Sequence, residues 1–179
     1  MAQYWLMKSE PHVYSIEDLA RDGKSGWEGV RNYQARNTLR DLMQVGDEVL
    51  FYHSSTEPPG VAGLARVSKT GVVDPSQFDA QSDYYDPKST PDQPRWIMVE
   101  IEYVQTFQQY LSLAELKNLP ELAGMVLLQR GSRLSVQPVS PEHFELICKK
   151  AGRSAKKSSK KPSQKVQAKP SVAKRSLSK

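Results

Sequence analysis

The apolar positions of this chain come in short runs, each closed by a turn signal, and they switch between the strand and helix periods. Tyr4-Trp5-Leu6-Met7 is an apolar run stopped at Ser9-Glu10-Pro11, which predicts a buried strand. Ser15-Ile16-Glu17-Asp18-Leu19 predicts a helix start, because Ser15 can cap and first-turn acids suit the helix dipole. Gly23 and Gly26 break that helix. A second is expected over about 33–44, with Ala35, Leu39 and Leu42 on one face and Gly46 as the stop. Strands are expected at 48–53 and 61–67, either side of Pro58-Pro59-Gly60. The Tyr- and Asp-rich stretch 74–94 reads as a loop, and 96–104 as a long strand with partial alternation. Ser112-Leu113-Ala114-Glu115 is a capping box for a short helix that Pro120 ends. Residues 133–139 alternate polar and apolar, the mark of a half-buried strand. Ser140-Pro141-Glu142 opens a last helix with Pro at its first position. Five or more strands with a few short helices predict an α+β domain around a curled or barrel-like sheet. No Gly-rich turn joins a strand to a helix, which argues against a dinucleotide fold or a P-loop.

Charge divides the chain in two. Of 25 Lys+Arg and 20 Asp+Glu in 179 residues, 12 Lys+Arg and no acid fall in 149–179. That leaves 13 Lys+Arg against 20 acids in 1–148, a net of −7, beside a segment of +12. The segment has no aromatic residue and is dominated by Lys, Ser, Pro and Ala, so it cannot bury enough apolar surface to offset ordering entropy. The expected organisation is one domain over 1–150 and a disordered, Lys-rich basic tail over 151–179. No apolar run approaches the roughly 20 residues of a membrane span. The N-terminus lacks the charged and long apolar regions of a signal peptide. The single cysteine, Cys148, allows no internal disulfide and no Cys-based zinc site. An intracellular protein is expected, in cytoplasm or nucleoid if bacterial and in the nucleus if eukaryotic, monomeric, with no cofactor and no metal.

Catalysis finds little support. His12, His53 and His143 stand at no metal-ligand spacing, and Cys148 at a helix C-terminus is a poor nucleophile. Asp83-Tyr84-Tyr85-Asp86 reads more simply as acids on a solvated loop than as a metal loop. A binding constellation is better supported. Trp27 stands between glycines, either plugging the core or walling a planar ligand. Arg31, Arg36 and Arg40 form a local cluster that pairs with acids or, with Asn32 at a first helical turn, holds phosphate. His53 and Ser54, at the end of a strand, can bond a ligand edge or be satisfied within the protein; alternation places Tyr52 on the other face. Arg130 and Arg133 flank Gly131 ahead of Ser135 and Gln137, on an ordinary solvated face or on a ligand.

Seven segments in order carry a resemblance. They are Tyr4-Trp5-Leu6-Met7-Lys8-Ser9-Glu10-Pro11, the stretch from Trp27 to Asn37, Phe51-Tyr52-His53-Ser54, Pro59-Gly60-Val61-Ala62-Gly63, Tyr84-Tyr85-Asp86-Pro87-Lys88-Ser89, Pro94-Arg95-Trp96, and the stretch from Arg133 to Val139. Together they resemble the EVE domain family over about 2–148. The resemblance implies a PUA-like fold, a mixed, barrel-like sheet flanked by short helices, and kinship with the YTH and SRA domains that hold a modified base in an aromatic pocket. It implies a non-catalytic reader of a modified nucleobase, with modified cytosine in DNA favoured. An RNA-binding PUA-like module and an enzyme acting on modified bases or nucleotides are the alternatives. Carried over by position, Trp27 corresponds to the aromatic wall, Lys8 and Ser9 to the pocket floor, and Tyr52, His53 and Ser54 to the opposite side. Tyr84 and Tyr85 stand where the YTH pocket takes tryptophans. The expected base pocket is thus Ser9, Trp27, Asn32, Tyr52, His53, Ser54, Tyr84 and Tyr85. The expected phosphate contacts are Lys8, Arg31, Arg36, Arg40, Arg130 and Arg133.

Overall fold

A computed structural model describes residues 2–153. Two apolar runs lie inside the sheet, neither at an edge: β1 (Tyr4–Ser9) and β3 (Glu48–His53) run side by side and parallel, Ser9 opposite His53. Both are nearly continuous in apolar residues because both faces are covered. Trp5, Met7, Val49 and Phe51 point into one apolar cluster, and Leu6, Leu50 and Tyr52 into another on the opposite face. The full order is β2 (Lys24–Gly26), β5 (Ile97–Ser112), β4 (Gly60–Val73), β3, β1, β6 (Val136–Val139). All pairings except β1 with β3 are antiparallel. The mixed sheet flanked by short helices is as expected; β2 and β6 are its two ends, so strand pairing does not close it into a barrel.

Helix α1 (Ile16–Asp22) opens on the expected capping residue, with Ser15 and Asp18 exchanging bonds, and packs Ile16 and Leu19 into the first cluster. Helix α2 (Tyr33–Asn37) is shorter than the expected 33–44, because the chain widens into a π-helical turn at Thr38–Leu42. The wider turn rotates the stripe by one residue. Ala35 and Leu39 face the core as expected, but Leu42 is exposed and Met43 takes the inward place. Helices α3 (Leu113–Lys117) and α4 (Pro141–Ala151) cover the second face, α4 through Phe144, Ile147, Cys148 and Ala151. Burial pushes the Cys148 thiol up to about 11, in keeping with an inert core cysteine.

Several boundaries differ from those expected. β4 and β5 run well beyond 61–67 and 96–104, since the added halves carry too few apolar residues to show a period. β2 has no apolar residue at all. β6 begins at Val136 rather than at 133. The expected disordered tail over 151–179 is corrected at its start. Ala151 is fully buried, Gly152 caps α4 in the left-handed conformation, and Arg153 is ion-paired with Glu48 at 3.0 Å. From 154 on, that expectation lies outside the described residues.

Candidate functional site

The parallel pair fixes where a site can form. β1 and β3 end together, and the segment before β6 runs antiparallel to β1 into the same corner. The Lys8 amide donates to Ser135 O at 2.8 Å, and the Ser54 amide to Ser9 O at 2.9 Å. A cavity of about 300 Å3 opens at this corner. Lys8 and Glu10 border it from the end of β1, Ser54 and Ser55 from the end of β3, and Arg133, Leu134 and Ser135 from the lead into β6. The loop 29–32 and the pair Asp83 and Tyr84 complete it. Ser55 has a left-handed φ of 52°, and its hydroxyl donates to Glu10 Oε1 at 3.0 Å, tying the two strand ends.

One buried carboxylate holds the loop wall. Asp74 accepts from the Gly29 amide at 2.9 Å, from Arg31 Nη1 at 2.9 Å and from the Ser76 amide at 2.8 Å. Arg31 also donates to Val30 O, to Ser76 Oγ and twice to Tyr84 O, at 2.7 and 2.9 Å. A guanidinium has five N–H groups, and each of Arg31's has an acceptor. Its Cζ lies 5.1 Å from the ring centroid of Trp96 and 5.5 Å from that of Tyr84. Trp96 is fixed in turn: its indole N–H donates to Asp86 at 2.8 Å, and its amide to the buried Gln77 at 3.0 Å.

Of the expected pocket residues, Asn32, Ser54 and Tyr84 border the cavity, as do Lys8, Arg31 and Arg133 of the expected phosphate contacts. The others do not. Trp27 is 2% exposed, packs edge-on against Phe51 at 5.7 Å and belongs to the core, the plainer of its two readings. Tyr52 faces the other side of the sheet, among Leu6 and Leu50, and burial lifts its hydroxyl to about 12. Ser9 is buried and donates to Tyr14 O at 2.6 Å. His53 accepts the Ile16 amide on Nε2 at 3.1 Å, capping α1, and burial lowers its pKa below the usual value. Tyr85 is exposed on the loop surface away from the cavity lining. Arg31, as a fully bonded strut, has no donor left for phosphate. Arg40 pairs with Asp41 at 2.6 Å, and Arg130 lies on the exposed loop before Gly131. Arg36 lies against Tyr33 at 4.8 Å and donates to Arg95 O at 3.0 Å. Asn32 caps α2 itself, accepting the Ala35 amide at 3.0 Å.

Lys8 and Arg133 border the cavity with no carboxylate at ion-pair distance among the described residues, and burial lowers the Lys8 ammonium below its ordinary value. The lining residues outside the expected sets are Glu10, Gly29, Val30, Ser55, Asp83, Leu134 and Ser135, and the hub Asp74 stands behind them. The only signal for Asp74 is its place before Pro75-Ser76, where it caps a 3-10 turn. No group of histidine, cysteine and acid side chains suited to a metal occurs among the described residues. No helix among them is long and apolar enough to cross a membrane.

Known proteins are similar to this chain over most of its length. Human thymocyte nuclear protein 1 is 41% identical over 166 residues, 82% of this chain and 73% of that protein. A Pseudomonas putida protein of known crystal structure is 52% identical, with a TM-score of 0.78 over 82% of this chain and 97% of that one. The human THYN1 protein, solved in complex with DNA containing 5-methylcytosine, is 39% identical, with a TM-score of 0.79 over 86% of this chain and 100% of that one. The PUA-like architecture is common to them. The family model described as EVE domain matches residues 3–150, and on that match and these likenesses the chain belongs to the EVE domain family.

Proposed function

We propose that this protein is a non-catalytic binding domain for DNA carrying a modified cytosine, and that the cavity at the β1, β3 and β6 corner receives the modified base. The observation that carries this reading is the likeness, over the whole of that chain, to the THYN1 structure with 5-methylcytosine DNA. The lining supports it. Tyr84 offers an aromatic flank, Asn32, Ser54 and Ser135 offer polar groups for a ring edge, and Lys8 and Arg133 offer positive charge for the backbone.

Magnitudes say where selectivity must come from. Taking a base out of its stack costs a few kcal/mol, and stacking on an aromatic returns about 1–3 kcal/mol per base. These nearly cancel. Burying a methyl adds about 0.8 kcal/mol, so a methyl by itself discriminates only a few-fold, and hydrogen bonds to the ring edge must do the rest. The test is a titration of DNA and RNA oligonucleotides, plain and with modified cytosines or adenines. Tightest binding to a modified-cytosine DNA is expected. Equal binding to plain and modified strands removes the reading, a preference for RNA favours an RNA module, and turnover of a modified nucleotide favours an enzyme.

A further inference from the structure

Beside the cavity, one residue past Asn32, stands an aromatic ring that the base pocket does not use. Tyr33 is 52% exposed, yet it lies stacked on Trp96 at 5.0 Å and 22°. Its support is rigid: Trp96 is 5% exposed, hydrogen-bonded through its indole to Asp86, and backed by the Arg31 guanidinium. The Arg36 guanidinium lies 4.8 Å from the Tyr33 centroid and 5.8 Å from that of Trp96. A cation beyond the far face of Tyr33 would stand at roughly the sum of the two spacings from Trp96. Arg36 stands well inside that, so it lies beside the pair of rings rather than beyond the outward face of Tyr33.

Arg36 gives one N–H to Arg95 O and two to Asn37 Oδ1, neither an acid. Two of its five N–H groups therefore remain. A planar aromatic face, held still before any ligand arrives, beside a cation with spare donors, is the chemistry that takes a nucleobase and its phosphate. Because the ring is already ordered, binding immobilises little that was free.

We propose that the outward face of Tyr33, with Arg36 at its edge, is a second stacking site, for the base next to the one in the cavity. This rests on the reading of the cavity as a DNA-base site. The stacking face has no hydrogen-bonding edge, so the site tolerates any base; it strengthens binding without selecting the modification.

The test uses the full chain and a DNA duplex with one 5-methylcytosine, 2-aminopurine being placed in turn on each side of it, and the same duplex with plain cytosine. Wild type and Tyr33→Phe should quench 2-aminopurine at one flank. Tyr33→Ala should lose the quenching and bind both duplexes about ten- to hundredfold more weakly, with the ratio between them unchanged. Tyr33→Leu keeps an apolar cover on Trp96 but no ring, and should behave like the alanine variant even if the latter is poorly folded. Affinity within twofold of wild type, or persistent quenching, in the leucine variant overturns the proposal. A collapse of the ratio also overturns it, by moving Tyr33 into base selection. If wild type binds both duplexes equally, the cavity reading fails, while Tyr33-dependent quenching still reports on this site. A wild type that binds neither duplex removes both.

Discussion

Arg31 and Arg40 lie nine positions apart in one cluster of the sequence, yet their side chains do opposite things. Arg40 rests on the surface against Asp41, where an ion pair adds little to stability. Arg31 reaches Asp74, a buried carboxylate 43 residues away, and Arg31→Ala would leave that charge uncompensated. The expected loss for Arg31→Ala is about 3–5 kcal/mol in a denaturant titration, with no measurable change for Arg40→Ala. Trp27→Ala should cost about 3–5 kcal/mol as a core truncation, visible in the same titration before any DNA is added. His53 adds a pH dependence. Its folded pKa lies below the unfolded value, so the neutral ring that accepts the Ile16 amide stabilises the protein fully above about 6.5. That stability is lost as pH falls through the lowered folded value. Melting temperature should therefore fall from about pH 6.5 downward, and His53→Gln should flatten that limb; an unchanged limb would remove the helix-cap role. These roles were hard to read in the sequence because each depends on a partner distant along the chain. Trp27 between glycines looks the same whether it meets Phe51 or a ligand.

At the level of elements, legibility followed local chemistry. The capping boxes at Ser15 and Ser112, and Pro141 at the start of α4, mark helix starts by contacts three residues apart or fewer, and the structure keeps them. β1 and β3 were legible from continuous apolar runs. β2 and the far halves of β4 and β5 were not, because pairing holds them and no apolar period marks them. The π-helical turn was illegible for a similar reason, since a one-residue widening leaves the apolar spacing intact until Leu42. β4 and β5 approach closely at two glycines of β4. A Cβ on Gly63 would sit 2.4 Å from Gln105 O and 2.8 Å from Ile16 Cγ1, and one on Gly60 2.3 Å from Leu111 O. Backbone cannot give way as a flexible side chain does. Gly63→Ala should lower the melting temperature sharply, whereas alanine at Gly124, whose added Cβ would meet only His143 at 4.0 Å, should leave it nearly unchanged. Equal melting of the two variants would contradict the close packing of β4 on β5.

Over the whole molecule, the whole-chain charge of +5 describes neither part. The acidic body suits a confined cavity with a few local cations better than a broad phosphate-gripping surface. The sequence from 154 on holds nine Lys+Arg and no acid, and under the proposed function it would attract phosphate without sequence preference. Truncation after Arg153 should keep the fold and the preference for modified DNA while reducing the salt dependence. Each cation that had met a phosphate should remove about 0.9 from the slope of log K against log salt. A slope as steep in the truncated protein would place the phosphate contacts on the body. Truncation after Lys150 should instead also lower stability, because it removes the buried Ala151 and the Arg153–Glu48 pair. The place of that pair has a practical side. Glu48 begins β3 and the cavity opens where β3 ends, about 17 Å farther along the strand. Coupling the protein to a sensor surface through a group placed after Arg153 would therefore leave the cavity facing the solution, whereas attachment through Ser55 would turn it to the wall.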